Sequence, residues 1–255
     1  MKAWTLVPAG DINAANQRIW TALGDNADTV ASRINTDPKF VTNIARLMVN
    51  GGYEPSTSQK LAREIMGKNF FGIEEAIKHF GVNATKQQIA ALAEVPFSEE
   101  VLQSCKDTHV LVAVFPLSIL DIRGHSRKQS DRTLFYSQDW YDKQAFASEK
   151  AELGWHLIRK TPVENSTAKN WKEQQALLSK DEETPTASVL VYTIIGHFLA
   201  TGERLFEKLY VRTSSLDSDG SRVDVGRFGS GGLFVSYYWG SDRSGDLGVS
   251  ASRKQ

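Results

Sequence analysis

The chain has a single cysteine, Cys105, in 255 residues, so it closes no internal disulfide and cannot be a disulfide scaffold. Net charge is missing as well. Thirty basic and thirty acidic side chains cancel, which removes the long-range attraction that draws proteins onto nucleic acid or anionic membranes. Long apolar runs are absent. The longest, 187–200 (ASVLVYTIIGHFLA), is too short to span a bilayer and contains His197. The run from Ala3 to Ala9 is broken by Pro8 and lacks the extended apolar stretch of a signal peptide. The expectation is a soluble, cytoplasmic chain, and the unpaired thiol agrees with a reducing compartment. Catalytic and metal signatures are also missing. The histidines His79, His109, His125, His156 and His197 form no HxxxH or HExxH pair, and there is no CxxC. His197, inside an apolar helix, reads as a core histidine, and Cys105 as a buried thiol. The stretch 226–232 (GRFGSGG) lacks the Lys-Ser/Thr and the helix of a phosphate loop. No enzyme, cofactor or metal is therefore expected.

What is present falls into two textures. Residues 1–106 read as helices. Asp11 or Asn13 starts the first, which runs to Gly24; a second follows Asp25. Asp37-Pro38 opens a third, stopped by Gly51-Gly52. Ser56 or Ser58 starts the next, ending at Gly67; IEEAIKHF lies between Gly72 and Gly81; and two short helices cover 86–94 and 98–106. From 107 the pattern changes. Residues 109–122 (HVLVAVFPLSILDI) predict one strand, or two broken at Pro116; 124–131 a polar loop; 133–140 a short aromatic strand or turn; and 154–163 a strand. A helix is expected over 170–179 and an acidic linker over 181–186. A helix capped by Thr186 then runs to about Ala200, with Gly202 at its C′ position and an apolar surface nearly all round. Strands follow at 209–213, 222–228, 233–239 and 247–252. The expected class is α+β, with a helical domain at 1–106 and a domain of short strands and helices at 107–255.

The last absence is the most informative. Residues 209–253 contain no Lys, Glu, Gln or Met, although the chain has 16, 15, 11 and 3 of them. An even spread would place several there. The same stretch holds 8 of the 19 glycines. Within it Val223, Val225, Phe228, Leu233, Val235, Trp239, Leu247 and Val249 read as a core face. Asp224, Arg227, Phe234, Ser236 and Tyr237 read as the opposite face. Aromatics among Arg, Ser, Gly and Asp are the mixture of adaptable binding surfaces.

The sequence RVDVGRFGSGGLFVSYYWGSDRSGDLGVSASRK resembles the variable region of target proteins of diversity-generating retroelements, through the frame VxVGxF–GLxVxxxW–R–LGVSxxRK. In that family a reverse transcriptase rewrites the 3′ end of the gene at template adenines, turning AAY codons into NNY. NNY codons encode no Lys, Glu, Gln, Met or Trp, and the one tail tryptophan, Trp239, sits in the frame. GWHLIRKTPV and YTIIGHFLATGERLFE are also similar to members of this kind. The resemblance implies a C-type-lectin-like domain with a variable region at about 222–248. It implies a protein ligand and recognition without chemistry. The implied ligand-binding positions are those that break the frame: Asp224, Arg227, Gly229, Gly231, Phe234, Ser236, Tyr237, Gly240, Ser241, Asp242, Ser244, Gly245 and Asp246. Phe234 and Tyr237 are the candidate hot spots. Nothing matches the calcium-dependent sugar motifs of lectins. The alternative is a DNA-binding regulator using 58–80 (SQKLAREIMGKNFFGIEEAIKHF) as a helix-turn-helix. Against it, residues 1–106 carry 11 Lys/Arg and 11 Asp/Glu, so no basic footprint exists.

Overall fold

The computed structural model describes residues 9–49, 52–129 and 133–255. The expectations placed on 1–8, on Gly51 and on 130–131 lie outside the described residues. The chain divides between Gly52 and Tyr53 into two compact units.

The first unit holds α1 (Ala9–Leu23), α2 (Ala27–Thr36) and α3 (Pro38–Val49). Asp37 caps α3 by accepting from the Phe40 amide at 3.1 Å, and Pro38 occupies the first turn, where its missing N–H has no intrahelical partner to lose. Arg33 lies over the Phe40 ring at 3.8 Å. No residue of α2 is buried, and Ile19, Trp20, Ile34, Val41 and Met48 remain more than a third exposed.

The second unit contains the remaining helices and two sheets, so the expected boundary near 106 is corrected to 52/53. Its helical part comprises α4 (Thr57–Met66), α5 (Ile73–Phe80), α6 (Lys86–Ala91) and α7 (Glu99–Cys105), with β1 (Phe70–Phe71) between α4 and α5. Ser56, Thr85 and Ser98 accept from the amides three residues on and start α4, α6 and α7. These elements do not form a separate body. β1 pairs in parallel with β2 (His109–Val114). Phe71 and Phe80 pack on Tyr192, with ring centroids 5.9 and 4.5 Å away. The change of texture at 107 marks where longer strands begin, while the core runs across it.

The stretch 109–122 is a strand only as far as Val114. Ser118 and Asp121 then exchange side-chain to amide bonds, at 3.1 and 2.9 Å, and open α8 (Ile119–Gln129). This capping pair overrides the β-branched composition and carries the helix through part of the expected loop at 124–131. The next elements are α9 (Ala145–Ser148), β3 (Gly154–Arg159), α10 (Trp171–Gln175), β4 (Glu182–Glu183) and α11 (Ala187–Thr201). β5 (Tyr210–Leu216), β6 (Arg222–Gly229), β7 (Gly232–Tyr238), β8 (Leu247–Val249) and β9 (Ser252–Arg253) complete the chain. The expected acidic linker thus contains β4, which pairs with β9. One sheet has the order β1-β2-β3-β9-β4 and the other β7-β6-β5-β8. The class is α+β.

Helix α11 begins at Thr186, whose hydroxyl accepts from the Val189 amide, and stops at Gly202 in the left-handed region with φ 79°. It touches β2 of the first sheet and β5 and β6 of the second. A helix apolar on every side is stable only when covered on every side. Every residue from 187 to 198 is accordingly buried. Among the described residues no helix is long and apolar enough to cross a membrane.

Candidate ligand-binding face

The second sheet presents its side chains in cross-strand rows. On its inner face Val211, Val225 and Val235 lie side by side, and Val223 is opposite Tyr237. On its outer face run Tyr210–Gly226–Phe234, Arg212–Asp224–Ser236 and Arg222–Tyr238. Beyond Gly226 the register breaks. Gly226 (φ 153°) and Arg227 (φ 44°) form the irregularity, and the Arg227 amide donates to the Leu209 carbonyl at 2.9 Å. The inserted residue resets the alternation, so Arg227 is exposed while Phe228 turns inward and is wholly buried.

Arg212 organises the outer face. It is fully buried. One terminal nitrogen donates to the Lys169 carbonyl at 3.1 Å and to Gln174 Oε1 at 3.0 Å; the other donates to the Trp239 and Asp242 carbonyls, both at 2.9 Å. The loop 239–246 is held further by the Trp171 amide on the Gly240 carbonyl and the Ala168 amide on the Ser244 carbonyl, both at 2.8 Å. Its fold therefore rests mainly on main-chain groups and on residues outside it, with Asp242 and the Ser244–Asp246 bond contributing from within.

The edge of β7 is lined by residues 134–140. The Tyr136 amide donates to the Leu233 carbonyl at 3.0 Å and the Leu233 amide to the Leu134 carbonyl at 2.9 Å. The side chains of Gln138 and Trp140 both donate to the Val235 carbonyl. This approach requires glycine at 232: a Cβ there would stand 2.4 Å from the Phe135 carbonyl carbon, and φ is +99°.

The seven glycines within residues 222–248 divide on this ground. Gly226, Gly232 and Gly248 belong to the frame. A Cβ on each would meet Leu209 O at 2.1 Å, Phe135 C at 2.4 Å and Pro162 Cβ at 2.8 Å respectively. Gly229, Gly231, Gly240 and Gly245 break the frame, and a Cβ on any of them meets nothing closer than 3.7 Å.

Of the expected ligand-binding positions, Arg227, Gly231, Tyr237, Ser241 and Gly245 are exposed, and Gly229, Phe234, Ser236, Gly240, Asp242, Ser244 and Asp246 are partly so. Three expectations are corrected. Asp224 is completely buried, because Arg212 and the loop above cover its row. Tyr237 shares the sheet face of Val235 and not that of Ser236, since successive strand residues point oppositely; it is half-exposed at the sheet's end, against Trp140 with centroids 4.9 Å apart. Trp239, expected in the core, is 53% exposed; its main chain is fixed, the carbonyl by Arg212 and the amide by Asp242. The other expected core residues, Val223, Val225, Phe228, Leu233, Val235, Leu247 and Val249, have no exposure. Reasoning from the sequence missed Tyr136 and Tyr210 on the outer face and left Tyr238 open between frame and variable position. Strict alternation from Phe234 and Ser236 points to Tyr238, and the 133–140 aromatics were visible without their register.

The charges of the face are engaged. Arg227 bonds Asp246, Arg243 bonds Glu173 at 2.8 Å, and the Asp242 carboxylate accepts from the Trp239 amide at 3.0 Å. The Ser244 hydroxyl, then Arg227, hold Asp246 below the usual carboxylate range. Burial pushes Tyr210 and Tyr238 upward. Burial also pushes Asp224 well above the carboxylate range, against the pull of Arg212. Neither Asp224 oxygen has a hydrogen-bond partner.

Comparison with family models, curated proteins and solved structures gives no match to this chain. Among the described residues no three His, Cys, Asp or Glu side chains converge as a metal site. His197 is buried in α11 with Nε2 3.5 Å from Glu203, and Cys105 is buried. The arrangement is suited to recognition: a fixed inner face, a main-chain-anchored loop, and outer side chains with room to change.

Proposed function

We propose that the chain is a ligand-binding protein that displays a hypervariable surface, rewritten by a diversity-generating retroelement, to a protein ligand. The observation that carries this reading is the division of the tail glycines. The three in the frame cannot accept a side chain, and the four outside it can. A scaffold that tolerates arbitrary replacement needs this separation. The buried inner face and the loop tied by Arg212 support it further.

The scaffold is read as C-type-lectin-like. Supporting this, β3 and the final strand β9 pair antiparallel, α10 and α11 lie between them in sequence, and β5 to β8 form the separate sheet that bears the variable residues. Specificity resides in the outer side chains, and no bond is made or broken.

A surface-display library tests the reading without knowledge of the ligand. NNY codons are placed at the twelve accessible positions, and folding is scored by protease resistance. Most members are expected to stay folded, while a second library at Gly226, Gly232 and Gly248 collapses. Equal tolerance in both libraries rejects the reading. The gene neighbourhood gives an independent check: a reverse transcriptase and a near-copy of the 3′ end, differing at adenines, are expected beside it.

A further inference from the structure

The outer face holds an aromatic group that extends beyond the variable region. Phe234, a variable position, stacks on Tyr136, with ring centroids 3.9 Å apart and planes 18° apart. On its other side Tyr210 meets it edge-on at 6.3 Å and 86°. Arg227 lies over the Tyr210 ring at 5.4 Å. Tyr136 is 42% exposed. Its place is set by the amide bond to Leu233 and by the glycine at 232, both belonging to the fixed frame. Resting on the variable-surface reading, we propose that Tyr136 and Tyr210 are constant ligand-contact residues, and that with Phe234 they form an aromatic ledge that takes an uncharged aromatic or proline-bearing segment of a protein partner.

The chemistry of the partner follows from the charges around the ledge. Arg227 is committed to Asp246, Arg243 to Glu173, and Asp242 to the Trp239 amide. Arg222 lies over the Trp171 ring at 4.2 Å and donates to the Ser214 carbonyl. Arg212 and Asp224 are buried. Among the described residues of the variable face, then, the charged side chains are ion-paired, hydrogen-bonded or buried, and the face itself does little to steer a charged ligand. Flat rings with phenol hydroxyls at their rims offer contact area at low entropy cost, and hydrogen bonds to a peptide backbone. The ledge supplies affinity that survives rewriting of the tail, and the variable positions supply discrimination.

The test pans a random 12-residue phage-displayed peptide library on the full chain and measures recovered peptides by fluorescence polarisation. Peptides rich in Trp, Tyr, Phe or Pro are expected, with affinity changing less than about threefold between low and roughly 0.5 M salt. Tyr136→Ala should weaken them at least about tenfold and Tyr136→Phe less than about threefold. Tyr136→Leu, which keeps an apolar side chain, serves if the alanine variant melts early, and should also lose about tenfold. No recovered binder, charged peptides lost in salt, peptides indifferent to Tyr136, or displacement of the peptides by methyl glycosides each overturns the proposal. If replacements at Ser236, Asp242 and Ser244 alter binding and those at Tyr136 do not, the ledge fails and the variable surface stands. If neither set matters, both fail.

Discussion

Arg212 and Asp224 stand opposite each other in adjacent strands, both wholly buried, yet the Asp224 carboxylate takes no hydrogen bond from the guanidinium. The arginine spends its terminal nitrogens on Lys169, Gln174, Trp239 and Asp242. The two residues therefore make opposite predictions.

Asp224→Asn should stabilise the protein at neutral pH. Burial raises the folded carboxylate well above its ordinary value, so between the unfolded value of about 4 and the raised one the native state keeps a proton that the unfolded chain has lost. Stability then falls as pH rises through that window and stays lower above it. Asparagine carries no such dependence. A gain of about 1 kcal/mol, or roughly 2–4 °C in melting temperature, is expected at pH 7 and should vanish below pH ~4. A lower melting point for Asp224→Asn at pH 7 contradicts the assignment.

Arg212→Lys should be strongly destabilising. An ammonium cannot reproduce the planar fork, and several buried acceptors lose their donor. A loss of at least about 3 kcal/mol in denaturant unfolding is expected. Amide exchange should quicken first at 168–171 and 239–246, the segments the guanidinium joins. Uniform quickening across both sheets would show that Arg212 supports the core generally and not this loop.

The glycines can be tested singly. Gly226→Ala, Gly232→Ala and Gly248→Ala should each cost about 2 kcal/mol or more, through overpacking and, at 226 and 232, through positive φ. Gly229→Ser, Gly231→Ser, Gly240→Ser and Gly245→Ser should stay within about 0.5 kcal/mol of the parent, as unconstrained surface changes do. Chemical denaturation of the seven variants decides it. Overlap of the two groups removes the main support for a variable surface.

Arg227→Asn should raise stability by about 1 kcal/mol, because Arg227 sits at φ 44° and asparagine tolerates the left-handed region far better. Its exposed bond to Asp246 is of the kind whose loss costs little. An unchanged or lowered melting temperature counts against strain at the bulge.

Much of this was legible in the sequence where local rules agree. Thr186 and Gly202 bound α11 as expected, and the all-round apolar surface foretold its burial. The inner face of β6 and β7 follows from alternation as far as Val235. Strict alternation breaks at the Gly226–Arg227 bulge, yet Arg227 lies outside and Phe228 inside as expected. At 236–238 the expectation put Tyr237 on the face of Ser236, where alternation puts Tyr238. Asp224 was misplaced for another reason: its row is outer by register, but residues 168–174 and 239–242, distant in sequence, cover it. The boundary near 106 failed because composition records local propensity, whereas Phe71 and Phe80 find their partner Tyr192 more than a hundred residues away.

The residues paired along β7 bear on the proposed rewriting of that strand. β7 is the edge of its sheet, and an open edge with random apolar side chains is a template for chain-to-chain polymerisation. Here the amide and carbonyl of Leu233 are already taken by Leu134 and Tyr136, and the Val235 carbonyl by Gln138 and Trp140. Under the proposed function, a new variant of β7 would change what the surface recognises without exposing a free backbone edge at those positions, so side chains could vary there without a matching risk of aggregation.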